Sequence, residues 1–183
     1  SLGNTIINLI FVLLIASDVE DYFLTQLILF FIFPFIAMLL FNFPFAKLFS
    51  GDAGSYLMGI IISISVILLS ENNNSVDPFA SFLIILFPLY ECIRSFIRRL
   101  ISGKRIDMPD QDHLHSKVYQ MFLKSKFDMS AANPIASIIM LLFPLLCGLW
   151  AYMNYSNQTT LIIGSIGCLI FYEILLNYID KKL

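Results

Sequence analysis

An aspartate set among glycines, Gly51-Asp52-Ala53-Gly54-Ser55, and a histidine pair, His113-Leu114-His115, are the groups in this chain whose types and spacing could do chemistry. At the mouth of an apolar run, Asp52 can present its carboxylate to a metal ion while uncrowded backbone N–H groups approach phosphate oxygens. The same residues also suit a plainer use, with Asp52 capping a helix and Gly51, Ser55 and Gly59 forming a small-residue face for close packing. His113 and His115 share a face only in extended backbone, so a joint role requires a turn, which Pro109 and the neighbouring aspartates can supply. A His-x-His spacing by itself says little about metal.

Both histidines lie within a polar stretch from Arg94 to Lys126 that holds eight of the eleven Lys and Arg residues. Clustered cations at a membrane surface suit a phosphorylated lipid head group or a nucleotide diphosphate, because fixed positive charge replaces the water that would otherwise solvate phosphate. Setting membrane topology is the competing use of the same cations. Downstream, Leu114, Val118, Met121 and Phe122 form an apolar stripe beside Lys117, Lys124 and Lys126, the pattern of a short helix lying at the membrane interface.

The elements that position these groups must be membrane helices. With 58% hydrophobic and 13% charged residues in 183, the chain is too apolar for a soluble domain, and its apolar runs lack strand alternation. The reading is an all-α integral membrane protein, one polytopic domain over 1–183. Six spans are predicted: Leu2–Ala16, Tyr22–Phe41, Ser55–Leu69, Phe79–Ile97, Asn133–Tyr152 and Thr159–Tyr178. Long loops cover 42–54 and 98–132. The connectors 17–21, 71–77 and 153–158 contain no Lys or Arg, whereas every basic residue lies at Lys47, in the 94–126 stretch, or at Lys181 and Lys182. Basic loops on the cytoplasmic side put both termini there, as six spans require. Pro34, Pro88 and Pro144 sit inside spans, and Cys92, Cys147 and Cys168 read as small apolar residues rather than as a disulfide or metal set. The net charge of −2 discriminates little, and no nucleic-acid partner is expected. The opening Ser1-Leu2-Gly3, with a short first span and no leader pattern, suggests a piece of something longer.

Taken together and in order, Phe-Asn-Phe-Pro-x-Ala-Lys-x-Phe-x-Gly-Asp-Ala-Gly-Ser at 41–55 and Arg-Arg-x-x-x-Gly…Pro-Asp-x-x-His-Leu-His at 98–115 resemble the polyprenyl-phosphate N-acetylhexosamine-1-phosphate transferases. These membrane glycosyltransferases start peptidoglycan, O-antigen and related envelope glycans, including those of lipopolysaccharide. The resemblance covers most of the chain and corresponds to the C-terminal half of a family member. It implies transfer of a sugar 1-phosphate from a UDP-sugar to polyprenyl phosphate, with release of UMP and with Mg2+, or Mn2+, as the cofactor. Asp52 matches the acidic residue tied to metal and pyrophosphate handling. Arg99 matches a loop arginine that holds diphosphate, and His113 and His115 match histidines lining the nucleotide-sugar site. Asn42, Lys47, Arg98, Arg105 and Asp110 fall in the same motifs and are carried as substrate-binding candidates. The implied setting is the bacterial inner membrane, with the site loops cytoplasmic and with a homodimer among the arrangements the family allows.

The chain also departs from the pattern. Ser116 stands where a further histidine is common, and Glu91 where an aspartate follows Pro-Leu-Tyr. The paired aspartates and the Asn- and Asp-Gly-rich motif of the family's earlier loops have no counterpart, so residues 1–183 alone are expected to be inactive. The Pro-Asp-x-x-His-Leu-His sequence leans toward N-acetylglucosamine-type donors rather than the muramoyl-pentapeptide branch. A different class remains in view: a noncatalytic membrane subunit or transporter piece that binds anionic lipid through its basic loop. That reading tolerates Asp52→Ala and His113→Ala but not neutralisation of several loop cations.

Overall fold

A bilayer offers backbone groups no hydrogen-bond partners, so a chain this apolar must satisfy them within its own helices. The computed structural model describes residues 2–44, 51–101, 103, 113–124 and 129–183, and among these every regular element is helical. In chain order they are α1 (Leu2–Asp18), α2 (Tyr22–Asn42), α3 (Gly51–Asn72), α4 (Pro78–Ile101), α5 (Leu114–Lys124), α6 (Met129–Asn154) and α7 (Gln158–Asp180). Five of them, α2, α3, α4, α6 and α7, are long and apolar enough to cross a membrane. With 17 residues, α1 is shorter, about 25 Å at ~1.5 Å per residue against a hydrocarbon core of ~30 Å. The chain is a multi-pass, all-α membrane protein.

Short α1 is well enclosed. It packs on α2, α3, α4 and α6, and Leu9, Val12, Ile15 and Ala16 have no exposed surface. The outer face of α2 is the opposite case: Phe23, Phe30, Phe33 and Leu40 are exposed, as lipid-facing residues should be.

The connectors free of Lys and Arg gather at one end. Asp21 caps α2 by accepting from the Leu24 N–H at 3.0 Å, and its other oxygen accepts from Asn73 Nδ2 at 3.1 Å. The Asp77 N–H donates to the Tyr155 carbonyl at 2.8 Å, and Asn157 caps α7 through the Thr160 N–H. These small polar residues stop and start helices at the same level, so α1, α2, α3, α4, α6 and α7 alternate in direction. The start of α1, the end of α2, the end of α4 and the start of α6 all meet at the opposite end, around one cavity.

Two helix boundaries differ from the sequence reading in ways that matter for the site. Helix α4 continues to Ile101 rather than stopping at Ile97, so Arg98 and Arg99 ride on its last turn instead of on a loop. Leucine and arginine are good helix formers, and a long arginine can keep its charge at the interface while its stem stays apolar. Helix α3 begins at Gly51 rather than Ser55, which places Asp52 in the first turn, where the helix dipole favours an anion. Gly51 itself has φ +62, a conformation glycine adopts without strain. The short helix after the histidines exists as α5, but its stripe faces the bundle. Leu114 and Val118 are buried in a cluster with Ala136, Met140, Phe143, Tyr172 and Leu176, and Met121 and Phe122 pack against that cluster.

Candidate functional site

A cavity of about 910 Å³ opens where the ends of α1, α2, α4 and α6 meet α5. Its polar wall is made by Asn4, Asn42, Glu91, Arg99, His113 and His115, and its apolar wall includes Leu39, Phe87, Pro88 and Leu141. Most of these polar groups lie near a helix terminus at this level. Asn42 is the last residue of α2, Arg99 lies in the last turn of α4, and His113 immediately precedes α5, its carbonyl accepting from the Lys117 N–H at 3.1 Å.

The hydrogen bonds on this wall are specific. Glu91 Oε2 lies 3.0 Å from His113 Nδ1, and Glu91 Oε1 accepts from the Tyr172 hydroxyl at 2.5 Å. A carboxylate only accepts, so Nδ1 carries the hydrogen and Nε2 is the ring nitrogen that Glu91 does not use. One helical turn on, Arg94 Nε and the Tyr90 hydroxyl both donate to Glu173 Oε1, at 2.8 and 2.7 Å. That pairing offsets the arginine charge on the side of α4 facing α7. Burial holds the His115 imidazole below its ordinary range, against the opposing effects of Asn133 and Glu91.

Two amides give the cavity unspent hydrogen-bonding capacity. Asn4 Oδ1 and Asn42 Oδ1 are buried without a hydrogen-bond partner. A buried amide oxygen left unpaired costs about 1–3 kcal/mol, so two of them on one cavity wall suit a polar occupant. Asn8, a turn deeper in α1, is fully buried and likewise has neither amide atom paired.

Among the residues singled out from sequence, the cavity unites Asn42, Arg99, His113 and His115. It does not include Asp52, which is exposed in the first turn of α3, or Arg98, which bonds Ser95 at 3.4 Å on the same helix. Lys47, Arg105 and Asp110 lie outside the described residues. No group of three or more His, Cys, Asp or Glu side chains is assembled to hold a metal among the described residues. Among the described residues Asp52 is therefore one carboxylate and not part of a cage. That fits Mg2+ only in the usual way for this ion, which sits on one or two carboxylates together with substrate phosphates and water.

Sequence reasoning missed Asn4, Asn133, Tyr172 and Glu173, and it noted Glu91 without placing it in the site. Signals for some of these were present. Asn4 and Asn8 are polar residues at a helical spacing of four in an apolar run, and the dipeptide Tyr-Glu occurs in two spans, at 90–91 and 172–173.

Residues 1–70 match the family described as glycosyl transferase family 4. The chain is similar to an undecaprenyl-phosphate alpha-N-acetylglucosaminyl 1-phosphate transferase of Thermotoga maritima, 37% identical over 83 residues, which are 45% of this chain and 27% of that protein. It is also similar to a probable undecaprenyl-phosphate N-acetylglucosaminyl 1-phosphate transferase of Bacillus subtilis, 28% identical over 130 residues, 69% of this chain and 36% of that protein. A Haemophilus influenzae undecaprenyl-phosphate alpha-N-acetylglucosaminyl 1-phosphate transferase is 28% identical over 138 residues, 73% of this chain and 37% of its own length. The chain thus spans roughly a third of the length of the curated relatives it matches. No solved structure matches.

Proposed function

We propose that this chain, whose residues 1–70 match glycosyl transferase family 4, builds the nucleotide-sugar side of a membrane enzyme that transfers an N-acetylhexosamine 1-phosphate from a UDP-sugar to polyprenyl phosphate and releases UMP. The observation that carries this reading is the cavity. It places a guanidinium, two imidazoles and two unpaired amide oxygens beside an apolar wall at the end of the bundle.

Each part has a use in such a transfer. The lipid phosphate attacks the β-phosphorus of the UDP-sugar and UMP leaves, so two anions must be brought together before any bond forms. Arg99 would hold the diphosphate of the donor and offset its charge in a partly dehydrated site. His113, aimed by Glu91, and His115, kept neutral by burial, would contact the donor from the α5 side. Asn4 and Asn42 would accept from the hydroxyls or amide of a sugar or from the uracil N–H, and the apolar wall would lie along the first isoprene units. A bound Mg2+ would neutralise diphosphate charge, with Asp52 as one of its ligands. The relatives' names point to N-acetylglucosamine as the sugar and undecaprenyl phosphate as the acceptor; initiation of an envelope glycan would be the process such a transfer serves. The site loops and both termini would face the cytoplasm of a bacterium, where nucleotide sugars are made. The paired aspartates of the family are absent from residues 1–183, so the chain alone would bind donor without turning it over.

The test is donor binding by the chain in nanodiscs, followed by saturation-transfer NMR with UDP-N-acetylglucosamine. Binding is expected, weakened about 10- to 100-fold by Arg99→Ala, the usual loss for a hydrogen bond to a charged group. Absence of binding by the unsubstituted chain would overturn this reading, and sugar-phosphate transfer by purified 1–183 would overturn the inactivity expected of the chain alone.

A further inference from the structure

The two Tyr-Glu dipeptides are cross-connected between α4 and α7. The Tyr172 hydroxyl of α7 donates to Glu91 of α4, while the Tyr90 hydroxyl of α4 donates to Glu173 of α7. Their rings meet edge to face, with centroids 5.1 Å apart and planes at 85°. Only one half of this clasp reaches the cavity: Glu91 spends its second oxygen on His113, while Glu173 takes Arg94.

Tyr172 is itself firmly placed. It is 3% exposed, with Phe143 at 5.7 Å and Phe87 at 6.4 Å between ring centroids. A glutamate has three rotatable side-chain bonds, so Glu91 alone could swing away from the histidine. A rigid hydroxyl on its other oxygen removes that freedom before any ligand arrives. Helix α7 also holds the far side of the same segment, because Lys117 of α5 pairs with Asp180 at 2.6 Å. The histidine at the start of α5 is thus gripped by α7 twice, through Glu91 and through Lys117.

We propose that Tyr172 is a positioning residue that, through Glu91, fixes the ring plane and tautomer of His113 so that Nε2 is the nitrogen offered to the anionic occupant of the cavity. The assignment of that occupant rests on the nucleotide-sugar reading given above, but the geometry of the relay does not. Tyr172→Phe keeps the packed ring and deletes only the hydroxyl. Glu91 then gains a degree of freedom, and His113 can sample the other tautomer.

The chain contains two histidines, so histidine-selective 15N labelling in nanodiscs gives a spectrum with two imidazoles to assign, His113→Asn identifying the signals. In the unsubstituted chain the His113 signals should report hydrogen on Nδ1. In Tyr172→Phe they should move toward a mixture of tautomers, with UDP binding weaker by about tenfold. Tyr90→Phe, which disturbs Glu173 instead, should leave the His113 tautomer where it was. Glu91→Gln provides a second route to the same mixture should Tyr172→Phe fold poorly. A His113 tautomer unchanged in Tyr172→Phe, or equally changed in Tyr90→Phe, would overturn the proposal. A tautomer shift in a chain that binds no nucleotide would instead leave the relay standing and remove the functional reading.

Discussion

Arg94 Nε and Glu173 Oε1 stand 2.8 Å apart across the α4–α7 interface, with their side chains 25% and 38% exposed. Such a pair in a membrane bundle is held less by the attraction between its members than by the penalty of leaving either one alone. Glu173→Ala should therefore lower stability by about 1–2 kcal/mol, between the values for exposed and fully buried pairs. The double substitution Arg94→Met with Glu173→Ala should recover most of the loss, because no charge is then stranded. Thermal unfolding in one detergent compares the three forms, and a double variant no better than Glu173→Ala would sink the argument.

Helix identity and order were legible because a run of Ile, Leu and Phe without alternation has one stable form in a bilayer. The end that gathers Lys and Arg was legible from charge alone. The cavity was half legible: Asn42, Arg99, His113 and His115 come from motifs, and the structure brings those four to one wall. Asn4 and Tyr172 stand out as polar groups in apolar runs, but what they do was not legible, since their roles depend on which helices become neighbours, and Tyr172 meets Glu91 across 81 residues of chain that no local pattern encodes. The direction of the α5 stripe was hidden for the same reason. An amphipathic helix has an apolar face whether that face meets lipid or protein, and only the position of α6 and α7 decides between them.

His115 gives a pH dependence with a definite sign. Burial lowers its folded-state value below the ordinary imidazole value of about 6.5, so above that pH it is neutral in both folded and unfolded chains. As pH falls below about 6.5 the unfolded chain takes up the proton first, and stability declines until the folded form also titrates. His115→Asn should remove that contribution and flatten the fall in melting temperature between roughly pH 7 and 5. The ring signals of His115, followed by NMR, should show a midpoint below that of a free imidazole; a midpoint at or above it would contradict the assignment.

Asp52 should matter to cation binding only when a diphosphate is present. It is a single exposed carboxylate in the first turn of α3, and Mg2+ and Mn2+ at such a group need phosphate oxygens to complete their shells. Mn2+ titrated into the chain and followed by electron paramagnetic resonance should bind weakly without nucleotide and more tightly with UDP. Asp52→Asn should abolish most of the nucleotide-dependent gain. Equal gains in the two chains would remove Asp52 from the metal site.

Gly148 of α6 tests whether α1 is seated by close approach rather than by general apolar contact. A Cβ built there would lie 2.0 Å from Phe11 Cδ2 and 2.5 Å from Cε2, so Gly148→Ala must push the ring of a residue that is only 6% exposed. Overpacking of this kind costs about 1–3 kcal/mol, and Phe11→Leu on the same background should return part of it by making room. Gly59→Ala is the matched control: nothing lies within 4 Å of its Cβ, so the change should be neutral or stabilising by about 0.5–1 kcal/mol through helix propensity. Because Asn4 and Phe11 belong to the same short helix, a displaced α1 also moves an amide of the cavity wall. Gly148→Ala should accordingly weaken nucleotide binding although it touches no cavity residue, whereas Gly59→Ala should not. If both alanines behave alike in melting and in binding, α1 is not held by the Gly148 notch.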